Sequence, residues 1–152
     1  MTVAESPGHT YDGLLVHDYH MTVTVEAYHG DLADVHPVAI YHQGDTYSRK
    51  IVLTLRGSGR TVLFGIVRVN LAEFAPLVRA EIVGGKSPFG RILIKHNVMR
   101  RVEPTGFFRI DAGPKQMAWF GLTEPQPLYG RVAFIRCNGR RAVELFEVVA
   151  PE

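Results

Sequence analysis

Three charged residues stand inside otherwise apolar runs, and chemistry is most readily sought there. Arg49 lies in SRKIVL, where it alternates with Ile51 and Leu53. Glu147 lies in LFEVVAP and alternates with Leu145 and Val149. Arg68 is the third, within FGIVRVN. Successive side chains of a strand point to opposite faces. If Ile51 and Leu53 face a core, Arg49 faces it too, and Glu147 follows Leu145 and Val149 in the same way. A charge buried without a partner costs several kcal/mol, so such residues pair with each other or with a ligand. Two readings follow from the periodicity. In one, the charges enclose a pocket: an arginine fork holds a substrate carboxylate, and a desolvated carboxylate at the far end serves hydrogen bonding or proton transfer. In the other, they line the solvent face of half-exposed strands.

The remaining candidates are weaker. His17, Asp18 and His20 could offer metal ligands, with His29, His36 and His42 nearby in sequence. No HExxH pattern occurs, and a His pair at i, i+3 is a poor metal signature. Solvated surface histidine is the plainer reading, and no metal site is expected. Cys137, the single cysteine, lies at a strand end before a turn and reads as an inert thiol. There is no GxSxG elbow for a serine nucleophile. No GxGxxG or GxxxxGK[ST] cradle for phosphates occurs either.

The elements that must position these residues are short and β-rich. Ser48–Leu55 and Thr61–Asn70 flank a Gly57-Ser-Gly-Arg turn and read as a hairpin. Tyr129–Cys137 and Ala142–Val149 flank Asn138-Gly139, the strongest hairpin turn signal in the chain. Val35–His42 surrounds Pro37 and suits an edge strand. Val23–Tyr28 is a strand or the end of a short helix. Leu71–Val83 has helical spacing around Pro76, 84–90 is a loop, and Arg91–His96 is a short helix. Arg100–Ile110 is strand material. Met117–Pro127 is an aromatic, proline-bearing insertion, and residues 1–13 are a loose leader. Hairpins dominate, so the fold class expected is α+β, with a mostly antiparallel sheet and a few flanking helices.

Bulk composition agrees with one folded domain over residues 1–152. Hydrophobic residues make up 46% and charged residues 21%, which excludes a disordered chain. One cysteine excludes an intramolecular disulfide and suggests a reducing compartment. No apolar run approaches the ~18 residues of a membrane span, and the N-terminus lacks signal-peptide character, so a cytoplasmic location is expected. The formal net charge is only +2, too small for a nucleic-acid footprint. Thirteen of the basic residues are Arg and four are Lys, a bias that suits planar recognition of carboxylates and also follows from GC-rich codons.

Five pieces, in order, resemble the chorismate pyruvate-lyase family. Tyr47-Ser48-Arg49-Lys50-Ile51-Val52-Leu53 is similar to its W/Y-x-R-x-I-L-L strand. Gly85-Lys86-Ser87-Pro88-Phe89-Gly90-Arg91-Ile92-Leu93-Ile94 resembles its G-K-x-P-L-G-x-x-L-F segment. Tyr129-Gly130-Arg131 matches a strand start. Asn138-Gly139 with Glu147-Val148-Val149-Ala150-Pro151 is similar to the family's ending, and Met21-Thr22 to a Met-Thr pair near the pocket. The resemblance implies a chorismate lyase-like fold with a closed internal site and no cofactor. The implied activity is elimination of pyruvate from chorismate to give 4-hydroxybenzoate. Arg49 would clamp the ring carboxylate, helped by backbone amides at Met21 and Phe89. Gly90, Arg68 and Arg131 would complete the binding set. Glu147 would meet the ring hydroxyl and assist the elimination. Aromatisation supplies driving force, so the protein mainly positions and desolvates.

The sequence departs from that pattern in places. The distance from the Asn-Gly turn to Glu147 is one residue longer than the family pattern leads one to expect. One extra residue reverses which face a side chain takes, so either a bulge absorbs it or Phe146 turns inward and Glu144 becomes the acid. Ile66 stands where the family commonly has Arg, with Arg68 two residues on. Two further readings therefore accompany the lyase. One is a binding module for a small aromatic carboxylate, since effector-binding domains of GntR-type regulators share this fold. No helix-turn-helix precedes the domain, so a stand-alone sensor is then expected. The other is a divergent enzyme on another carboxylated substrate in a specialised biosynthetic pathway.

Overall fold

Alternating apolar residues joined by glycine-bearing turns form two three-stranded meanders, and the sheet is built from their union. The computed structural model describes residues 2–4 and 21–151. Strand β1 is Thr2–Ala4 and helix α1 is Met21–His29. The first meander is β2 (Ala33–Gln43), β3 (Thr46–Leu55) and β4 (Thr61–Asn70). A single 3-10 turn, Leu71–Glu73, leads into α2 (Pro76–Gly84) and α3 (Phe89–Lys95). The second meander is β5 (Arg100–Asp111), β6 (Pro127–Cys137) and β7 (Arg140–Val149), with α4 (Pro114–Phe120) between β5 and β6. The seven strands run in the order β1-β5-β6-β7-β4-β3-β2, and every pairing is antiparallel. The α+β reading is thus correct, and the two meanders meet through their last strands, β4 and β7.

Local chemistry accounts for most boundaries. Pro76 opens α2 at a position where its missing N–H is not needed, and Gly85 closes it in the left-handed region at φ 69°. Asn138 and Gly139 both take positive φ, 52° and 81°, as a tight hairpin turn requires. Pro37 lies at a register shift in β2, an edge strand, where its missing donor is tolerated. The run around Val23–Tyr28 is helical. Helix α3 starts two residues before Arg91, inside the stretch expected to be loop. The loose-leader reading of residues 1–13 is corrected at Thr2–Ala4, which pair with Phe107–Arg109. A free edge of β5 offers unpaired N–H and C=O groups, and a β-prone Thr-Val-Ala segment satisfies them. Residues 5–13 lie outside the described residues.

One face of the sheet is covered along its length and the other only in part, since Lys50, Arg68 and Glu144 stay exposed there. On one face, Phe74, Val78 and Ile82, with Phe89, Ile92 and Leu93 of α3, pack on Val67, Val69, Ile135 and Leu145. Met21 and Val25 of α1 pack beside them on Ile51, Leu53, Leu63 and Val149. The aromatic insertion covers part of the other face, around Phe64, Phe108 and Val148. Trp119 of α4 stacks on Phe64 with ring centroids 3.9 Å apart, and Phe108 stacks on Phe146 at 4.8 Å.

Candidate functional site

Register places the three charges. Across β3, β4, β7 and β6, the residues Arg49, Val67, Leu145 and Ala133 are directly opposite one another and form one row. The next row is Ile51, Gly65, Glu147 and Arg131. Opposed residues share a face, so Arg49, Glu147 and Arg131 all point beneath α1 and α3. Arg49 is 2% exposed, Arg131 0% and Glu147 6%. The solvent-face reading is thereby excluded for Arg49 and Glu147.

Arg68 and Glu144 belong to the opposite face. They are partners in register and form a loose 3.9 Å ion pair with both side chains largely exposed. Arg68 is therefore not in the enclosed site, and Glu144 is not the inward acid. The extra residue before Glu147 is absorbed where β6 and β7 leave their turn. There Ile135 opposes Val143 and Arg136 opposes Arg141, so Ala142 is bulged. The β4–β7 ladder beyond it is unbroken, with Phe146 on the far face.

Arg49 and Glu147 flank a hollow. Its wall is apolar, from Ile51, Leu53, Leu63, Val67, Ile135 and Leu145, and Gly65 leaves the floor without a side chain. Met21 and Thr22, which open α1, and Pro88, Phe89 and Gly90, which open α3, close it from above. The first intrahelical bond of α3 is from Ile92 N to Pro88 O, so the amides of Phe89, Gly90 and Arg91 have no acceptor within the helix. Such helix starts carry partial positive charge. The cavity volume is ≈ 40 Å³. Glu26 ties the two covering helices together. Its Oε2 accepts from Arg91 Nη2 at 2.5 Å and from Ala33 N at 2.7 Å.

The two buried arginines are treated differently. Arg131 Nε donates to Glu147 Oε1 at 3.0 Å, a desolvated ion pair. Gly130, beside it, has no room for a side chain, because a Cβ there would run into the Phe108 ring and the Glu147 carbonyl. That close approach locks β6 against its neighbours and fixes Arg131. Arg49 donates from Nη2 to the Ser87 carbonyl at 2.9 Å, while its Nε and Nη1 have no partner in the protein. No carboxylate among the described residues pairs with it. Burial lowers the Arg49 pKa from its ordinary value, and only the nearby Tyr47 phenol opposes that. The Tyr47 hydroxyl itself makes no hydrogen bond of acceptable geometry, although it neighbours the guanidinium.

The structure thus brings together Arg49, Glu147, Met21, Phe89 and Gly90 around one hollow, with Arg131 behind Glu147. Sequence reasoning missed Tyr47, two residues before Arg49 and on the same face. It also missed the Ser87 carbonyl and the Glu26–Arg91 clasp. The alternation used for Arg49 would have flagged Tyr47. His17, Asp18 and His20 lie outside the described residues. Among the described residues no group of three His, Cys, Asp or Glu could hold a metal ion. No helix among them is long and apolar enough to cross a membrane.

No family model matches the sequence, and no curated protein does. Solved structures do. The effector domain of PhnF from Mycobacterium smegmatis superposes with a TM-score of 0.60 at 15% identity, over 86% of this chain and 88% of that one. The ligand-binding domain of a protein classed among the GntR-family transcriptional regulators, from Bordetella bronchiseptica, gives 0.58 at 12% identity, over 79% and 86%. The possible transcriptional regulator YydK from Bacillus subtilis gives 0.56 at 12% identity over 78% of this chain, which spans 57% of that protein's length. The fold is therefore the chorismate lyase-like fold of GntR ligand-binding domains.

Proposed function

We propose that this domain is a binding module for a small organic anion, a ring-sized carboxylate, which it holds by Arg49 inside the hollow. One observation carries the reading: a guanidinium that is 2% exposed keeps Nε and Nη1 unpartnered and has no described counter-ion. A buried cation of this kind is stabilised by an anion that comes with the ligand. The first amides of α1 and α3 add to the attraction. Glu147, two strands from Arg49 and one same-face step along, is about 12 Å away between backbones, from standard strand spacings. The hollow as it stands is tight beside the ~300–1,000 Å³ of ordinary ligand pockets. Binding therefore requires α1 and α3 to part, and the Glu26–Arg91 pair is the contact that must yield.

The similarity to regulator ligand-binding domains supports binding as the primary role. Elimination of pyruvate from chorismate is the second reading, favoured by the placement of Glu147 opposite Arg49. Glu147 is already engaged by Arg131, which suits it to accept a hydrogen bond from a ligand hydroxyl better than to donate a proton. The experiment is a melting assay with benzoate, 4-hydroxybenzoate, chorismate and the neutral benzamide, with pyruvate measured in the chorismate sample. A carboxylate at 100 times its Kd stabilises by about 2.7 kcal/mol, which is about 5–10 °C for a domain of this size. Benzamide leaves the melting temperature unchanged. Equal shifts with benzamide, or none with any carboxylate, overturn the binding reading. Stoichiometric pyruvate release establishes the lyase.

A further inference from the structure

The Tyr47 hydroxyl lies beside the Arg49 guanidinium but makes no hydrogen bond of acceptable geometry inside the protein. Tyr47 is fully buried, and its Oη is without a hydrogen-bond partner. Its ring is held by packing alone, in the cluster with Val67, Val69, Phe89 and Leu145, and edge-on to His42. Phenylalanine would fill the packing role and leave no polar group stranded, losing only the support the phenol gives the neighbouring Arg49 charge. Unsatisfied buried hydroxyls are uncommon and are a cost to the fold, so the oxygen is worth explaining.

Its position suggests the explanation. Tyr47 and Arg49 are alternate residues on the same face of β3, one same-face step of about 7 Å apart. One short loop roofs both. Ser87 O of that loop accepts from Arg49, and Gly85 lies over Tyr47, where an added Cβ would sit 3.8 Å from the hydroxyl. Gly85 is buried with φ 69°, so the loop passes over the hydroxyl as bare backbone. Three polar atoms without protein partners, Tyr47 Oη and Arg49 Nε and Nη1, are thus gathered under one roof. Arg49 alone accounts for a carboxylate. The hydroxyl beside it is a place for another oxygen close to that carboxylate.

We infer that Tyr47 is a specificity residue of the Arg49 site, and that the ligand is a 2-hydroxy or 2-oxo carboxylate whose second oxygen meets the Tyr47 hydroxyl. This rests on the binding reading above and deepens it. The carboxylate takes the free donors of Arg49, the neighbouring oxygen takes the phenol, and the rest of the ligand lies along the apolar wall toward Glu147.

The test uses phenylacetate and mandelate, which differ by one hydroxyl on the carbon that bears the carboxylate. Calorimetric titration of the wild type is expected to show mandelate binding at least 5-fold tighter. Tyr47→Phe should reduce that preference to under 2-fold, by weakening mandelate more than phenylacetate. A mandelate preference that survives Tyr47→Phe, or an equal loss for both acids, overturns the inference. Binding of both acids that is lost in Arg49→Met yet indifferent to Tyr47→Phe keeps the carboxylate clamp and overturns only the role of Tyr47. Binding of neither acid by wild type overturns the clamp and the inference together.

Discussion

Replacing Arg49 with methionine separates a ligand clamp from a structural cation. The side chain is 2% exposed, and its one hydrogen bond in the protein is to Ser87 O at 2.9 Å. A hydrogen bond from a charged group contributes about 1.5–3 kcal/mol. Against it stands the desolvation of a cation without a counter-ion, which remains several kcal/mol after relaxation. Methionine keeps the apolar packing of the arginine stem and removes the charge. The Ser87 carbonyl it abandons belongs to a half-buried residue and can turn to water. The ligand-free protein should therefore gain about 1–3 kcal/mol, the range seen when buried charges give way to apolar side chains. At about 2–4 °C per kcal/mol, the melting temperature rises by several degrees. Ligand binding moves the opposite way. Loss of a buried, hydrogen-bonded charge pair costs about 2–5 kcal/mol, or about 30-fold to a few thousandfold in affinity. Melting curves and a titration followed by the fluorescence of Trp119, the single tryptophan, measure both. A methionine variant that melts lower and binds as well as wild type would refute the reasoning, because Arg49 would then be structural.

Two further perturbations bear on the other buried groups. Glu147→Leu strips the carboxylate from Arg131 and should cost about 3–5 kcal/mol in urea denaturation, whereas Glu147→Gln, which keeps an acceptor for Nε, should cost less than half of that; a leucine variant as stable as wild type would show that the pair does not hold β6 to β7. Burial pushes the Cys137 thiol from its ordinary 9.0 up to about 11, so the native protein should react with a thiol reagent at pH 8 far more slowly than the urea-unfolded chain. The same shift is a stability term: the unfolded chain loses the proton first, so about 2–3 kcal/mol present below about pH 9 is lost as pH rises to about 11, and a stability profile flat over that window would contradict the burial.

Much of the architecture was legible in local pattern. Ser48–Leu55 and Thr61–Asn70, and the pair around Asn138-Gly139, combine period-two alternation with turn residues whose backbone preferences leave little choice. The aromatic insertion was visible as composition but not as a helix, because α4 is specified by the Phe64 and Phe108 face it covers and not by its own periodicity. Arg68 was misplaced against the pattern of its own strand. Only Val62–Gly65 is buried on both faces; from Ile66 onward β4 alternates, with Val67 and Val69 buried and Arg68 and Asn70 exposed, so the strand's own alternation already set Arg68 on the face opposite Val67. Glu147 was ambiguous because spacing reveals an extra residue without saying where it is absorbed. The bulge at Ala142, hard against the turn, decides it.

Strand order supplies what spacing cannot. Arg131 and Arg49 are both arginines in apolar strands, both buried, and both on the face that carries Glu147. Arg131 stands on β6, next to β7, and meets the carboxylate. Arg49 stands on β3, separated from β7 by β4, and does not. Had the meanders joined through β3 instead of β4, Arg49 would neighbour Glu147 and the hollow would hold a closed ion pair with nothing left to recruit. By joining through β4, the sheet sets Gly65 between the cation and the acid as an empty floor. It also gives the acid its own arginine and leaves the other guanidinium uncompensated. The proposed anion site is thus a property of topology, which is why the residues could be nominated from sequence while their division of labour could not.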